Sequence, residues 1–222
     1  MASPYYAGNR IFDLNDKISN RDNCLYHFYA LKQEFSRHDL ELATQDINGP
    51  DTADMVIYNE MPQQLPRPQD IHKSYLLIFE SELIRPDNCD VEKHRYFHKI
   101  FTWKDTIVDN KKYFKINFAQ LFPVGINKDL TKKKKLCTVI AGRKRVNHPL
   151  EIYSKRLEAI RWFEKNHPED FDLYGISWDG YKLISRKWSK KLNEKVPFLI
   201  KYLPLRFPSY RGQVDKKRPI LK

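Results

Sequence analysis

A carboxylate stands at the end of the most apolar stretch of this chain. Residues 74–79 read Ser-Tyr-Leu-Leu-Ile-Phe and are followed directly by Glu80. Such a run predicts a buried strand with an acid at its carboxyl end. Ligands of open α/β sheets lie outside the carboxyl ends of the strands, so Glu80 lies where chemistry could take place. Glu82 is a second carboxylate close by and the fallback for any role as a base, and a strand-end glutamate that meets water is the alternative for Glu80.

A second segment has the pattern of an anion-binding turn. Residues 136–142 predict a strand that ends in a glycine, and Pro149 suits the first turn of a helix that runs to about Asn166. The N–H groups and the dipole at the N-terminus of a helix favour an anion. Arg156 lies on this predicted helix, and from the residues alone it is a solvated cation on the helix face.

The remaining apolar runs predict the frame that would position these residues. Strands alternating with loops or helices are typical of a parallel sheet, so we predict an α/β fold. The predicted elements are helices over 22–35 and 89–99 and strands over 54–58, 74–80, 100–103, 113–118 and 171–175. The lysine-rich run 128–135 has no apolar period and predicts a boundary between domains 1–127 and 128–222.

Charge is divided unevenly along the chain, whose net charge is +12. Residues 126–222 hold 25 Lys and Arg against 10 Asp and Glu, so they carry +15 and residues 1–125 carry −3. Such asymmetry indicates that the second part meets an anion. Charge alone does not choose among a nucleic acid, a membrane surface and the diphosphate of a nucleotide sugar.

Composition excludes several classes of protein. Hydrophobic residues at 41% and aromatic residues at 14% predict a folded globule. No stretch approaches the roughly 20 apolar residues of a membrane helix, and the N-terminus lacks the pattern of a signal peptide. Three widely spaced cysteines fit buried thiols in a reducing compartment better than a disulfide framework or a zinc site. We expect a cytoplasmic protein, either in solution or held peripherally at a membrane.

These segments together resemble the family 10 glycosyltransferases, the α-1,3/4-fucosyltransferases that use GDP-fucose. The resemblance extends from about Ile11 to Asp215. Its most specific parts are residues 79–88, 101–103 (Phe-Thr-Trp), 141–156, 172–175 (Asp-Leu-Tyr-Gly) and 207–212 (Phe-Pro-Ser-Tyr-Arg-Gly). It implies two Rossmann-like domains that face each other across a cleft, the GT-B arrangement, with the acceptor on the N-terminal domain and GDP-fucose on the C-terminal one.

The resemblance also implies roles for individual residues. It makes Glu80 the general base that deprotonates an acceptor hydroxyl and Arg156 a ligand of the donor phosphate. Tyr174, Gly175 and Tyr210 would line the nucleotide side. The implied reaction is inverting transfer of fucose to a glycan hydroxyl, of the α-1,3 type. It needs no metal or cofactor beyond the donor substrate GDP-fucose, and its partners are the nucleotide sugar and a glycan acceptor, with no nucleic acid.

The sequence departs from the family pattern in two places. Arg143 stands where relatives have a small polar residue, often asparagine. Relatives also continue with a segment that holds ribose and diphosphate, and nothing after residues 210–212 (Tyr-Arg-Gly) matches it. We therefore expect a chain truncated within the donor domain, with weak or no transferase activity in isolation. A non-catalytic remnant or a partner subunit is the corresponding alternative.

Nucleic-acid binding is the other class that the residues leave open. The basic runs 132–135 and 143–145 lie near tryptophans and could bind a polynucleotide, although charge runs are usually solvated. Two pairs have the spacing of metal ligands, namely His94 with His98 and Asp170 with Asp172. Surface histidines and chance acidic pairs are the commoner explanation of both.

Overall fold

In a computed structural model, the described part of the chain comprises residues 4–117, 121, 124–126, 128–131, 133–178 and 207–214. The chain divides into two compact units, Met1–Gly125 and Ile126–Lys222. The lysine-rich run, where the sequence predicts a boundary, begins just after this division. Each unit has its own parallel sheet and its own hydrophobic core.

The first unit is built on a four-stranded, all-parallel sheet with the strands in sequence order. The strands are β1 (Val56–Asn59), β2 (Ser74–Ile78), β3 (Lys99–Thr102) and β4 (Tyr113–Lys115). Leu76 of β2 lies between Tyr58 and Ile100 in register and is fully buried. Parallel strands covered on both faces read as continuous apolar runs, which is why the sequence locates them. Phe118, the end of the predicted fourth strand, lies outside the described residues.

The helices of the first unit begin later, or are shorter, than the sequence predicts. Helix α1 spans Tyr26–Arg37 because Asn23 adopts a left-handed conformation that ends the preceding 3-10 turn. The predicted helix over 89–99 is wrong, since only one turn forms, α2 (Val91–His94). His94 is buried there, and the His98 N–H already donates to the Ser74 carbonyl at 2.8 Å at the start of the β2–β3 ladder.

A cavity of about 500 Å³ lies beside β1, lined by the apolar face of α1 and by residues 39–45. Leu31 and its neighbours on that face are only half-buried, and no residue of α1 is fully buried. Asn59 also lines the cavity, and its Oδ1 atom is buried without a hydrogen-bond partner among the described groups. Helix α1 is thus packed less closely on the sheet than the strands are on one another.

The second unit has two parallel strands, β5 (Cys137–Ile140) and β6 (Phe171–Tyr174), joined by helix α3 (Tyr153–Asn166). Tyr210 forms an isolated parallel bridge with Leu173 of β6. The helix begins at Tyr153, not at Pro149 as predicted, because residues 149–152 form a turn in which Glu151 accepts the Ser154 N–H at 3.0 Å. The core consists of Ile160, Phe171, Leu173, Trp178 and Phe207.

The fold is therefore mixed α/β with parallel sheets, as the sequence predicts. Short 3-10 helices connect the elements of the first unit, at Pro4–Tyr6, Arg10–Phe12, Arg21–Asn23, Pro68–Lys73, Pro86–Cys89 and Asp105–Ile107. Among the described residues, no helix combines the length and the apolar character needed to cross a membrane.

Candidate functional site

Glu80 lies just beyond the carboxyl end of β2, and its side chain is exposed. The strand itself ends at Ile78, two residues before the predicted end at Glu80. The reason is that the N–H groups of Phe79 and Glu80 donate to the side chain of Glu60, each at 3.1 Å, and not to a neighbouring strand. Within the described residues, the Glu80 carboxylate makes no hydrogen bond and no ion pair. An exposed carboxylate on a backbone that is held in place is suited to accept a proton.

Glu60 is a functional candidate that the sequence reasoning missed. It follows β1 directly, and its N–H continues the ladder by donating to the Leu77 carbonyl at 2.9 Å. Residues 56–60 read Val-Ile-Tyr-Asn-Glu, a strand that ends in an acid, as residues 74–80 do. Because the carboxyl ends of neighbouring parallel strands meet at one edge of the sheet, that likeness could have indicated that Glu60 and Glu80 lie close together.

Asn88 joins these two glutamates from the 3-10 helix that follows β2. Its side chain is buried, its Oδ1 accepts the Met61 N–H at 2.9 Å, and its Nδ2 donates to the Glu80 carbonyl at 3.2 Å. The same Nδ2 also donates to Oε2 of Glu60. All the hydrogen-bonding atoms of the Asn88 amide thus contribute to holding the ends of β1 and β2 together.

The main chain of Asn88 is held in place by a histidine, which a tyrosine supports in turn. The Asn88 carbonyl accepts a hydrogen bond from Nε2 of His94 at 2.9 Å, and Nδ1 of His94 lies 3.1 Å from the Tyr113 hydroxyl. Burial lowers the pKa of His94, which favours the neutral ring, with Nε2–H donating and Nδ1 accepting. Both ring nitrogens of His94 are therefore occupied, and His94 is a structural residue, not half of a metal site with His98.

A fixed cation lies beside the two glutamates. Arg85 donates to the Met61 carbonyl at 2.6 Å and pairs with Asp87 at 2.7 Å. Its pKa is raised by the hydrogen bonds to Asp87, with smaller contributions from the charges of Glu60 and Glu80. This guanidinium partly balances the negative charge at the edge of the sheet.

Glu82, the fallback base, interacts with a different partner. The pKa of the Cys89 thiol is raised mainly by burial, and the neighbouring Glu82 carboxylate, which accepts a hydrogen bond from the thiol, adds to the effect. One oxygen of Glu82 is therefore committed to Cys89. Of the three acids at this edge, Glu80 is the one whose carboxylate oxygens accept no hydrogen bond within the described residues.

The second unit has a basic cleft of about 410 Å³ between the end of β5 and the first turns of α3. Arg143, half-buried, lies with its guanidinium 5.0 Å from the centre of the Phe207 ring and 5.9 Å from that of Trp178. Burial, followed by the charges of Arg145 and Arg161, lowers the pKa of Arg143. The lining residues are Arg143, Lys144, Arg145, Val146, Asn147, Glu151, Tyr153, Ser154, Leu157 and Trp178. Three cations favour an anion in this cleft, whereas the Glu151 carboxylate already accepts the Ser154 N–H at the start of α3.

Arg156, the predicted phosphate ligand, lies on α3 one turn after its first residue. It is half-buried, and its guanidinium stacks at 5.4 Å from the centre of the Tyr153 ring. Tyr153 lines the basic cleft, whereas Arg156 is not among the described lining residues. Arg156 is thus next to the cleft, in contact with one of its walls.

Tyr174, Gly175 and Tyr210 lie together at the carboxyl end of β6. The Tyr210 hydroxyl donates to the Gly175 carbonyl at 2.9 Å, and the Tyr174 carbonyl accepts the Ala141 N–H at 3.0 Å. Gly175 also donates its N–H to the Gly212 carbonyl at 3.0 Å. These three residues join β5, β6 and the segment 207–214, and they make contacts within the unit.

The acidic pair Asp170 and Asp172 does not have the arrangement of metal ligands. Asp172 is nearly buried and pairs with Arg211 at 2.8 Å and with Lys135 at 3.8 Å. Across the described part of the chain, there is no group of three or more His, Cys, Asp or Glu side chains placed to hold a metal ion. Asp172 is better explained as the partner of Arg211, which attaches residues 207–214 to β6.

Comparison with protein-family models, with curated proteins and with solved structures finds no match to this chain. The functional conclusion therefore depends on the residues at the two sites, the edge of the first sheet around Glu80 and the basic cleft of the second unit.

Proposed function

We propose that this chain is part of an inverting fucosyltransferase that transfers fucose from GDP-fucose to a hydroxyl of a glycan acceptor, in α-1,3 linkage. The observation that supports the proposal best is that Glu80 follows a strand, has a backbone fixed by hydrogen bonds and has an exposed side chain. The fold that we propose is the two-domain GT-B type with an incomplete second domain. The three cysteines are free, as a reducing compartment favours, although Cys24 is exposed and the other two are half-buried where the sequence predicts buried thiols. We propose a cytoplasmic location, either in solution or at a membrane surface.

The chemistry assigned to Glu80 is general base catalysis. As the acceptor oxygen attacks the anomeric carbon of fucose, its proton passes to the Glu80 carboxylate, and the bond to the GDP oxygen breaks. Glu60 is a weaker candidate because three hydrogen-bond donors already occupy its oxygens. Glu82 is weaker because it interacts with Cys89.

We assign to the basic cleft the binding of the diphosphate of GDP, which is the leaving group. Arg143, Lys144 and Arg145 supply positive charge where the leaving oxygen becomes negative, and no cofactor is required for that stabilisation. Arg156 lies behind the cleft wall, with its guanidinium against the Tyr153 ring. We propose that it reaches the phosphate when the donor is bound. Tyr174, Gly175 and Tyr210 would then face the nucleotide.

Binding of the donor is the first test. Calorimetric titration of the purified chain with GDP and with GDP-fucose should give saturable binding, which Arg156→Ala and Arg143→Ala weaken by 10-fold or more, on the order of 1.4 kcal/mol. Arg156→Lys should not restore it, because an ammonium cannot grip two phosphate oxygens as a guanidinium does. The matched control is Lys155→Ala, since Lys155 is exposed and pairs with Glu158 at 2.9 Å. A folded chain that binds neither ligand contradicts the assignment of the basic cleft and supports the remnant or partner-subunit alternative.

Transfer of fucose to a glycan acceptor, measured in the chain completed with a donor half, tests Glu80 itself. Glu80→Gln keeps the shape of the side chain but removes the base, so the transfer rate should fall by about 10² or more while GDP binding is retained. Glu82→Gln should leave the transfer rate close to that of the wild type if Glu80 is the base, whereas Glu60→Gln does not test the base because Glu60 also holds the Glu80 backbone. Equal transfer rates in the wild type and in Glu80→Gln would remove Glu80 from the mechanism.

Polynucleotide binding is the second candidate function. Three consecutive cations beside Trp178, in a part of the chain with a charge of +15, favour it. Titration with a long RNA at several salt concentrations separates the two functions. Tight binding that weakens steeply with salt, without saturable binding of GDP, would favour a nucleic-acid-binding protein.

A further inference from the structure

Glu60 has a backbone conformation that is unusual for its residue type. Its φ is 66°, in the left-handed region. The other non-glycine residues with positive φ in the described part of the chain are all short and polar, namely Asn9, Asn23, Asp39, Asn110 and Ser177. Asparagine and aspartate tolerate this region because their short side chains bond locally, whereas a glutamate has no such compensation. Strained residues of this kind persist where the surroundings hold them, and they concentrate at functional sites.

The surroundings that hold Glu60 are the residues around the proposed base. Its Oε1 accepts the N–H groups of both Phe79 and Glu80 at 3.1 Å, and its Oε2 accepts Nδ2 of Asn88. The left-handed turn after β1 is what directs the side chain along the edge of the sheet to the end of β2. One carboxylate thus replaces the strand partner that Phe79 and Glu80 would otherwise need.

Glu80 is consequently held on both sides of its own α-carbon. Its N–H donates to Glu60, and its carbonyl accepts Nδ2 of Asn88 at 3.2 Å. Asn88 is itself 1% exposed and fixed by the Met61 N–H and by His94. The two main-chain groups that determine where the Glu80 side chain starts are therefore attached to Glu60, which follows β1, and to Asn88 of the 3-10 helix Pro86–Cys89.

We infer that Glu60 is a positioning residue for Glu80. Its carboxylate fixes the Phe79–Glu80 backbone, and Asn88 completes the support, so that the Glu80 side chain projects from the edge of the sheet in one place. The value of such support for a base is geometric, because a displacement of about 1 Å can lower a rate on the order of 10²-fold. The catalytic part of this inference rests on the proposed function of Glu80, whereas the structural part does not.

Amide hydrogen exchange tests the structural part directly. Glu60→Ala removes the acceptor, so the amides of Phe79 and Glu80 should exchange at least 10-fold faster than in the wild type, while those of Leu76 and Ile100 keep their protection. Glu60→Gln keeps one acceptor oxygen but turns an NH₂ group towards the Asn88 amide, and should give an intermediate rate. It also serves as the test if the alanine variant does not fold. Unchanged exchange at Phe79 and Glu80 in a folded variant overturns the inference.

Steady-state kinetics of the same chain completed with a donor half, in its wild-type and variant forms, test the catalytic part. We expect both Glu60 variants to lower kcat for fucose transfer by at least 10-fold, with KM for GDP-fucose unchanged and Glu60→Gln less impaired than Glu60→Ala. The matched control is Glu92→Gln, because the Glu92 side chain on α2 is exposed and lies 3.8 Å from Arg95. Faster exchange with an unchanged kcat would overturn the positioning role. Absence of transfer in the wild type would count against the proposed function instead, and hydrogen exchange would then decide whether Glu60 holds Glu80.

Discussion

Gly175→Ala should destabilise the second unit more than alanine at either of its other described glycines. Gly175 follows β6 with a φ of 131°, a region that residues with a Cβ rarely adopt. A Cβ at this position would lie 2.0 Å from the carbonyl oxygen of Ala141 and 2.6 Å from its carbonyl carbon. Both atoms are main chain, so no side chain can rotate away to relieve the overlap.

The cost can be worked out from the neighbouring hydrogen bonds. Moving Gly175 away from Ala141 by the required ångström or so disturbs the bond from Ala141 to the Tyr174 carbonyl and the bond from Gly175 to the Gly212 carbonyl, each 3.0 Å. Losing two such bonds costs roughly 1–3 kcal/mol, and the strained φ adds about 1–3 kcal/mol. We expect a total of about 2–6 kcal/mol, which is a large part of the stability of an ordinary domain.

Urea unfolding, followed by circular dichroism and by tryptophan fluorescence, measures this effect. Trp178 reports on the second unit because it is buried against Phe207, at 4.9 Å between ring centres. With an m-value of about 2 kcal/mol/M, the midpoint of the second unit should fall by roughly 2 M, or the unit should not fold at all.

Two other glycines of the unit provide matched controls. Gly212 has a φ of 108° but no atom within 4 Å of an added Cβ, so Gly212→Ala should cost about 1–2 kcal/mol from strain alone. At Gly142 the nearest atom would be Cγ1 of the Ile176 side chain, 3.2 Å away and able to shift, so Gly142→Ala should stay within about 0.5 kcal/mol of the wild type. If Gly175→Ala is no more destabilising than Gly212→Ala, the close approach of Ala141 to Gly175 is wrong.

Two further predictions concern the first unit. Leu76→Ala should lower the free energy of unfolding by about 3 kcal/mol, since Leu76 is fully buried. Leu31→Ala should lower it by about 1 kcal/mol, because Leu31 lines a cavity and already lacks part of its contacts. Equal losses for the two variants in urea titrations would contradict the loose packing of α1. Burial lowers the pKa of His94 from the ordinary 6.5, so the unfolded state binds more protons in weakly acidic solution, and the free energy of unfolding should fall as the pH decreases from about 7 to 5. His94→Asn should have a smaller slope over that range, and identical slopes in urea titrations at pH 5, 6 and 7 would show that His94 does not titrate on unfolding.

The strands could be predicted from the sequence because their signal is local. The first three strands of the first sheet begin and end within two residues of the predicted bounds, because parallel strands covered on both faces need runs of apolar and aromatic side chains. The same reasoning failed for residues 89–99, where spacing of the helical kind produced a single turn. There the burial of Phe97 and the hydrogen bonds of His94 override the helical preference, and both depend on strands far away in the sequence.

The candidate site was only partly predictable for a related reason. Glu80 could be found because an acid that ends an apolar run is visible in one segment. The contacts of Glu60 depend on its left-handed φ and on the adjacency of β1 and β2, and neither can be predicted from residues 56–60 alone. In the second unit, Arg143 could be recognised as a cation at a turn, but its stacking on Phe207 joins segments far apart in the chain.

The choice of base among three nearby acids follows from their hydrogen bonds and not from their spacing. A general base needs a carboxylate oxygen that can reach a substrate proton, and an oxygen that already accepts a main-chain or thiol hydrogen is less available for it. Glu60 uses both of its oxygens to hold the ends of two strands, and Glu82 interacts with Cys89. Glu80 is left with a supported backbone and an exposed carboxylate because Glu60 provides that support from a strained conformation. In the proposed mechanism, Glu60 therefore holds the edge of the first sheet and Glu80 provides the base.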